Sequence, residues 1–87
     1  MANEQAKVVE QYLELVRYMA GSLLDDEIEI DVKAASKNDP LRIELFVPDA
    51  HRGRVIGRGG RIARSMRTLL NIAGVAYHHS VVLDIVD

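Results

Sequence analysis

A glycine-rich turn constrains the fold of this 87-residue chain more than any other feature of its sequence. The segment GRVIGRGGRI, residues 53–62, holds four glycines and three arginines and lies between two apolar-rich stretches. Glycine adopts positive φ without strain and places no Cβ between the backbone and a ligand. Gly57-Arg58-Gly59-Gly60 is therefore predicted to form a tight and positively charged connection.

The first half of the chain predicts one helix and two strands. Apolar residues recur at helical spacing over residues 5–24, which is typical of an amphipathic helix. From residue 27 the hydrophobic period changes to two, and residues 27–34 and 41–47 alternate as half-buried strands do. Turn-forming residues occupy the intervening SKNDP, so the two strands are expected to form a hairpin.

The second half predicts two helices around the glycine turn and a final strand. Asp49 is the expected N-cap of a short helix through Ile56. The next helix is expected to begin near Gly60 and to stop at Gly74. Residues 80–86 are rich in β-branched side chains, which predicts a last strand. The order is therefore α-β-β-α-α-β, and the length sets a limit of one domain.

Charge is distributed unevenly along the chain. The net charge is −2 at pH 7, but residues 50–83 contain no Asp or Glu. Because binding responds to the local field, the acid-free segment matters more than the total. Guanidinium groups suit phosphate oxygens in particular. The arginines of this segment are Arg52, Arg54, Arg58, Arg61, Arg64 and Arg67.

The second of these helices is predicted to be two-sided. At 100° per residue, Arg61, Arg64 and Arg67 are expected to cluster opposite its apolar face. The residues of that apolar face are Ile62, Met66, Leu69, Leu70 and Ala73.

The glycine turn leads into a helix N-terminus, where free N–H groups and the helix dipole favour an anion. A sugar-phosphate backbone fits better than one isolated phosphate, because the arginines continue along the next helix. No Gly-Lys-Ser/Thr follows the turn, and the turn does not follow a strand. A Walker loop and a Rossmann dinucleotide site are therefore excluded.

The segment VIGRGGRIARSMRTLL resembles the core of a KH domain, whose Gly-X-X-Gly loop joins two helices and clamps nucleic-acid backbone. The element order resembles the type II KH arrangement, and the small size, N-terminal helix and ending VVLDIVD resemble the free-standing bacterial KhpA family. The resemblance implies an α+β fold with a three-stranded sheet covered by three helices, an N-terminal helix over residues 5–24 and a KH core over residues 27–86. Residues expected to bind RNA are Arg54, Ile56, Gly57, Arg58, Gly59, Gly60, Arg61 and Arg64.

The resemblance also implies function and partners. The expected ligand is single-stranded RNA, with about four nucleotides in the groove, and the expected role is that of a post-transcriptional regulator or RNA chaperone. A homodimer is expected, or a heterodimer with a larger KH-containing protein of the KhpB type. No enzymatic activity, cofactor, metal or membrane association is expected, and the lack of cysteine fits a cytoplasmic protein.

Two other classes compete with this interpretation. The glycine turn and the following helix could instead form a protein interface or dimerisation surface. The same helix could enter a DNA major groove, but the element order and Gly-X-X-Gly disfavour a helix-turn-helix protein. An enzyme ranks behind both, because no acid-base or metal-binding set converges in the sequence.

The tyrosines of the first helix and the histidines are predicted to have packing or surface roles. Tyr12 and Tyr18 are predicted to pack through the first helix. His78 and His79 are adjacent and would point to opposite faces of an extended segment, which disfavours a shared metal. His51 is interpreted as a helix surface residue within reach of RNA.

Overall fold

The computed structural model describes residues 2–25, 27–36, 40–77 and 80–86. Within these residues the predicted order α-β-β-α-α-β and the α+β class are confirmed, with a short 3₁₀ turn added between the last two helices. The elements are α1 (Ala2–Leu23), β1 (Asp31–Ser36), β2 (Leu41–Phe46), α2 (Asp49–Ile56), the 3₁₀ turn (Arg58–Gly60), α3 (Arg61–Tyr77) and β3 (Val81–Val86).

The sheet is mixed, and its strands follow the order β1-β2-β3. β1 and β2 form the predicted antiparallel hairpin, in which Val32 lies opposite Leu45. β2 and β3 form a parallel pair, in which Ile43 lies opposite Leu83. A parallel pair requires a crossover, and α2, the 3₁₀ turn and α3 supply it. This topology places the glycine turn in the middle of the crossover.

The helices cover one face of the sheet. Alternate strand residues such as Val32, Ile43 and Leu45 are buried against them, whereas the opposite face carries charged side chains. On that open face Arg42 Nη1 donates to Asp84 Oδ2 at 2.8 Å. The helical side of the core is formed by Val9, Tyr12, Leu13, Val16, Ala20, Leu24, Val55, Met66 and Leu70.

Two predicted boundaries are wrong. The first strand begins at Asp31 and not at residue 27, because β2 ends at Phe46, the partner of Asp31, and offers nothing for earlier residues to pair with. The preceding Ile28 packs against the core from a turn, in which its N–H donates to the Asp25 carbonyl. α3 does not stop at Gly74 but continues to Tyr77, and Gly74 lies buried within it. The tertiary context of this buried position overrides the helix cost of glycine, which is about 1 kcal/mol.

Two predicted side-chain roles also need correction. Asp49 is the first residue of α2 and not its N-cap; Pro48 holds that position, without a capping hydrogen bond. Tyr12 is buried, and its hydroxyl donates to the Ala73 carbonyl at 3.2 Å. Tyr18 is 75% exposed and does not belong to the core, because it lies on the side of α1 away from Val16. His78 and His79 lie outside the described residues.

Candidate nucleic-acid interface

The helix that leads into the glycine turn is short and held mainly by one side chain. Val55 is fully buried, while Arg54 is exposed and Ile56 is partly buried. At the start of α2, Arg52 Nη2 donates to Asp49 Oδ1 at 2.7 Å. At its end, the Gly57 N–H donates to the Gly53 carbonyl at 2.8 Å. The position of the turn is therefore set by the last residues of α2.

Gly57 occupies a conformation that is essentially restricted to glycine. Its φ is 78° and its ψ is 168°, a region that side-chain-bearing residues avoid. A Cβ built on Gly57 would lie 2.7 Å from Ile62 Cγ1 and 3.0 Å from Ile62 Cδ1. Backbone conformation and packing thus both require glycine here. Ile62 in turn packs against the core, so that it connects the turn to the rest of the fold.

The tip of the turn is open. Arg58 and Gly59 are exposed, and Gly59 has φ 64° and ψ 17° with nothing within 4 Å of a Cβ built on it. Gly60 also has positive φ, at 76°. Its N–H donates to the Gly57 carbonyl at 3.0 Å, and the Arg61 N–H donates to the Arg58 carbonyl. These internal bonds use two amides that a bare helix N-terminus would offer to an anion, so the arginine side chains carry more of the positive potential.

The arginines of the acid-free segment divide into two groups. Arg54, Arg58, Arg61 and Arg64 are exposed and form no ion pair within the part of the chain that the structure describes. Arg64 lies over the turn, with Nη1 3.9 Å from a Cβ built on Gly60. Arg52 and Arg67 instead have partners within the chain. The first group is a set of cations without ion-pair partners near an open backbone turn, and such cations attract phosphate groups.

The prediction that Arg61, Arg64 and Arg67 form one cluster is wrong in part. Arg61 and Arg64 lie on the outer side of α3, beside Ser65 and Thr68. Arg67 lies at the border of the buried face, where its Nε donates to the Leu83 carbonyl at 3.2 Å. Because the three residues span an arc of about 120° at 100° per residue, Arg67 is close enough to β3 to bond with it. The bond of Arg67 to β3, which sets it apart from Arg61 and Arg64, is a tertiary contact that helical spacing does not predict.

A second surface was not predicted from the sequence. Tyr18, Met19, Leu23, Ile62 and Leu69 line a shallow apolar groove between α1 and α3, hereafter the α1/α3 groove. Leu69, which was expected on the apolar face of α3, is 50% exposed, and the neighbouring Ile72 is 62% exposed. Arg61 is the one charged residue among those that line the groove in the described structure. The sequence did carry a signal for this surface, because the apolar residues of α3 cover a wider arc of the helix than the side that faces the core.

Among the described residues, no three His, Cys, Asp or Glu side chains come together so that they could hold a metal ion. None of the helices in the described part of the chain is both long and apolar enough to span a membrane.

Comparisons with known proteins identify the family to which the chain is similar. Residues 13–85 match the family model described as KhpA/KhpB, KH domain. The RNA-binding protein KhpA of Borreliella burgdorferi is 36% identical over 75 residues, which cover 86% of this chain and 92% of that protein. The RNA-binding protein KhpA of Aquifex aeolicus is 36% identical over 74 residues, which cover 85% of this chain and 94% of that protein. The RNA-binding protein KhpA of Bacillus subtilis is 31% identical over 81 residues, which cover 92% of this chain and 100% of that protein. No solved structure gives a significant match.

Proposed function

The chain belongs to the KhpA/KhpB family of KH domains, and from this premise we propose that it binds single-stranded RNA through the Gly57–Gly60 turn. The observation that carries the proposal is the open tip at Arg58 and Gly59, held in place by Gly57 and Ile62 and surrounded by unpaired arginines. A rigid backbone turn loses little entropy on binding, which favours a clamp for a flexible strand.

Each predicted binding residue has a role in this proposal. Arg58 and Arg61 pair with phosphates at the tip, and Arg54 and Arg64 extend the positive surface on either side. Gly59 and Gly60 let the RNA backbone approach closely, while Gly57 sets the shape of the turn. Ile56 is partly buried beside the turn and offers an apolar contact to a base. The chain has one Phe and three Tyr, so aliphatic contacts and hydrogen bonds take the place of aromatic stacking.

The proposed activity is binding without catalysis. A clamp on the sugar-phosphate backbone accepts many sequences, which suits a post-transcriptional regulator or RNA chaperone acting in the cytoplasm. Four of its cations lie around one turn, so a single domain should bind a short strand weakly, and affinity should rise when two domains act on one RNA.

The salt dependence of RNA affinity tests the clamp directly. We expect the slope of log affinity against log salt to be about −1.5 to −3 for each domain, at about −0.7 for every neutralised phosphate. Arg64→Ala should reduce the slope by about 0.7, because its guanidinium lies over Gly60. The measurement is fluorescence anisotropy of a short single-stranded RNA at several salt concentrations. Lys33→Ala, on the open face of the sheet, is the control and should leave the slope unchanged. A wild-type slope near zero would refute the clamp.

The α1/α3 groove supports a second candidate function, and we also propose that two copies of the chain pair through it. Apolar surface at Tyr18, Leu69 and Ile72 is exposed on one side of the two helices. Such a patch is a common sign of an interface. Arg61 lies at one end of the groove, so a two-fold axis near Leu69 would keep the two Arg61 side chains apart. A larger KH protein of the KhpB type is the alternative occupant.

Matched aspartate substitutions test this pairing. Ile72→Asp should convert the dimer to a monomer without lowering the melting temperature, because Ile72 is 62% exposed. Ile62→Asp should abolish pairing and also destabilise the fold by several kcal/mol, because Ile62 packs against the core. Val75→Asp is the control, since Val75 is 77% exposed but lies about two turns beyond Leu69, whereas Ile72 lies about one turn beyond it, next to the groove.

Light scattering after size exclusion, with thermal melts, provides the measurement. A dimer that survives Ile72→Asp would place the interface elsewhere. A wild-type chain that stays monomeric alone, but forms a complex with a larger KH protein, would assign the groove to that partner.

A further inference from the structure

A shallow cavity lies where β1 begins and β2 ends. Its volume is about 600 Å³, and it is lined by Glu29, Ile30, Asp31, Phe46, Val47 and Pro48. Asp31 lies opposite Phe46 in the β1–β2 ladder, so the carboxylate and the ring share the open face of the sheet. The lining thus combines four apolar residues with two carboxylates. This combination suits a cation that has an apolar stem.

The Phe46 ring already receives a cation of its own chain. Lys33 Nζ lies 5.6 Å from the ring centroid, within the range of cation–π attraction, and 3.4 Å from Asp31 Oδ2. The side chains of Lys33 and Asp31 are both more than half exposed, so this ion pair is weak. An arginine can replace Lys33, because a guanidinium stacks on an aromatic face and binds a carboxylate through two donors. Glu29 is exposed and has no ion-pair partner among the residues that the structure describes.

The matching cation is on the same chain, at the tip of the glycine turn. Arg58 is exposed and forms no ion pair with any described part of the chain. α2 separates it from the cavity, since the eight residues of this helix span about 12 Å between Pro48 and Gly57. A rigid helix of this length keeps Arg58 away from the cavity of its own chain. The arginine of a second copy has no such restriction.

The distribution of charge favours a contact between two copies. Residues 1–49 hold eleven acidic and five basic residues, whereas residues 50–83 hold six arginines and no acid. Because these two parts of the chain have opposite local charge, the acidic part of one copy attracts the basic turn of the next, although the net charge of each copy is −2.

We propose that the cavity is a docking site for Arg58 of a second copy of this chain, in a head-to-tail contact that is separate from the α1/α3 groove. The guanidinium lies over the Phe46 ring and pairs with Glu29 and Asp31, while its stem contacts Pro48. Because the tip and the cavity are different surfaces, the contact is heterologous and links copies in series. RNA bound at the turn uses the same arginine, so RNA and a second copy exclude each other. One such contact is weak, so links form only at high protein concentration.

Analytical ultracentrifugation at low salt measures this linking. All proteins in the experiment carry Ile72→Asp, so that pairing through the α1/α3 groove does not contribute. The average mass should rise with protein concentration above its value in dilute solution, and the rise should disappear at high salt. Phe46→Leu keeps an apolar residue without the ring and should weaken linking about threefold. Lys33→Met removes the competing cation and should strengthen linking about twofold or more, although it makes the net charge more negative.

A charge swap between the cavity and the tip identifies the two surfaces. Glu29→Arg and Arg58→Glu should each abolish linking when the variant is alone. An equal mixture of the two variants should link, because each offers the surface that the other needs. Both residues are exposed, so the melting temperatures should stay unchanged. A short single-stranded RNA, added to protein that retains Arg58 and Glu29, should break the links.

Constant mass at all protein concentrations, linking that Phe46→Leu does not weaken, or a mixture that links no better than either variant alone would overturn this inference. Links that persist in saturating RNA would contradict the shared use of Arg58. Linking by a protein that binds no RNA would remove the proposed function and keep this inference, whereas RNA binding without linking would do the reverse.

Discussion

Gly57→Ala is expected to destabilise the protein more than any other single glycine substitution in the turn, by about 2–5 kcal/mol. The φ of 78° and ψ of 168° at Gly57 strain any side-chain-bearing residue. The new Cβ would also lie 2.7 Å from Ile62 Cγ1. An 87-residue domain has only about 5–10 kcal/mol of total stability. We therefore expect a large drop in the urea midpoint of unfolding, measured by circular dichroism.

Two other glycines serve as matched controls for this experiment. Gly59→Ala should cost only about 1 kcal/mol, because Gly59 lies in the left-handed region with open space around it. Gly53→Ala should stabilise the protein by about 0.5–1 kcal/mol, because it replaces a helical glycine that has no neighbour within 4 Å. If all three substitutions had equal effects, the special role of Gly57 would be refuted.

A double mutant separates the two sources of strain at Gly57. Ile62→Ala removes Cγ1, the atom nearest to the added Cβ. In the Gly57→Ala background it should therefore cost less than it does in the wild type, where it removes a side chain packed against the core. Strict additivity of the two substitutions would show that the cost arises from the backbone conformation alone.

The element order could be predicted from the sequence because it depends on local signals. The change of hydrophobic period near residue 27 separated α1 from the hairpin, and four glycines within residues 53–62 marked the turn. These signals act over a few residues, and tertiary packing did not override them. The Gly-X-X-Gly spacing then carried the resemblance to KH domains, which the family match supports.

The errors arose where distant elements decide the outcome. Gly74 has the local character of a helix stop, but its buried position within α3 keeps the helix intact. The exposure of Tyr18 and Leu69 depends on how α1 and α3 lie side by side, which periodicity along either helix does not specify. Likewise, the bond from Arg67 to Leu83 joins residues 16 positions apart. Spacing within α3 placed Arg67 in a cluster with Arg61 and Arg64 that the fold divides.

Ile62 connects the two surfaces proposed here. Its Cγ1 lies 2.7 Å from a Cβ built on Gly57, and the same residue lines the α1/α3 groove. Because RNA and a second copy would bind on either side of this residue, substitutions at Ile62 cannot separate the two functions. Arg58 can, since it is exposed at the turn and does not line the groove, and Ile72 can, since it lies next to Leu69 of the groove and far along α3 from the turn. A test of RNA binding at the turn should therefore change Arg58 and Gly59 and leave Ile62 unchanged.

Replacement of both Arg58 and Gly59 by Asp is expected to weaken RNA binding at least about 100-fold and to leave the fold intact. Two carboxylates would stand where a phosphate must approach, and the lost charge-assisted contacts are worth about 1.5–3 kcal/mol each. Both residues are exposed, and Asp tolerates the left-handed conformation of Gly59. The control is the Asn pair at the same positions, which has the same shape without charge and should bind more tightly than the Asp pair.

Anisotropy titrations with a short single-stranded RNA, together with circular dichroism spectra, provide the test of this charge reversal. The Asp and Asn pairs should show the same spectrum and similar melting temperatures, so that the difference in their RNA affinity measures charge alone. Since carboxylates repel phosphates through the local field, that difference should shrink as salt is added. If the folded Asp pair bound RNA as tightly as the wild type, the turn would not be the RNA clamp. The α1/α3 groove would then remain as the proposed functional surface.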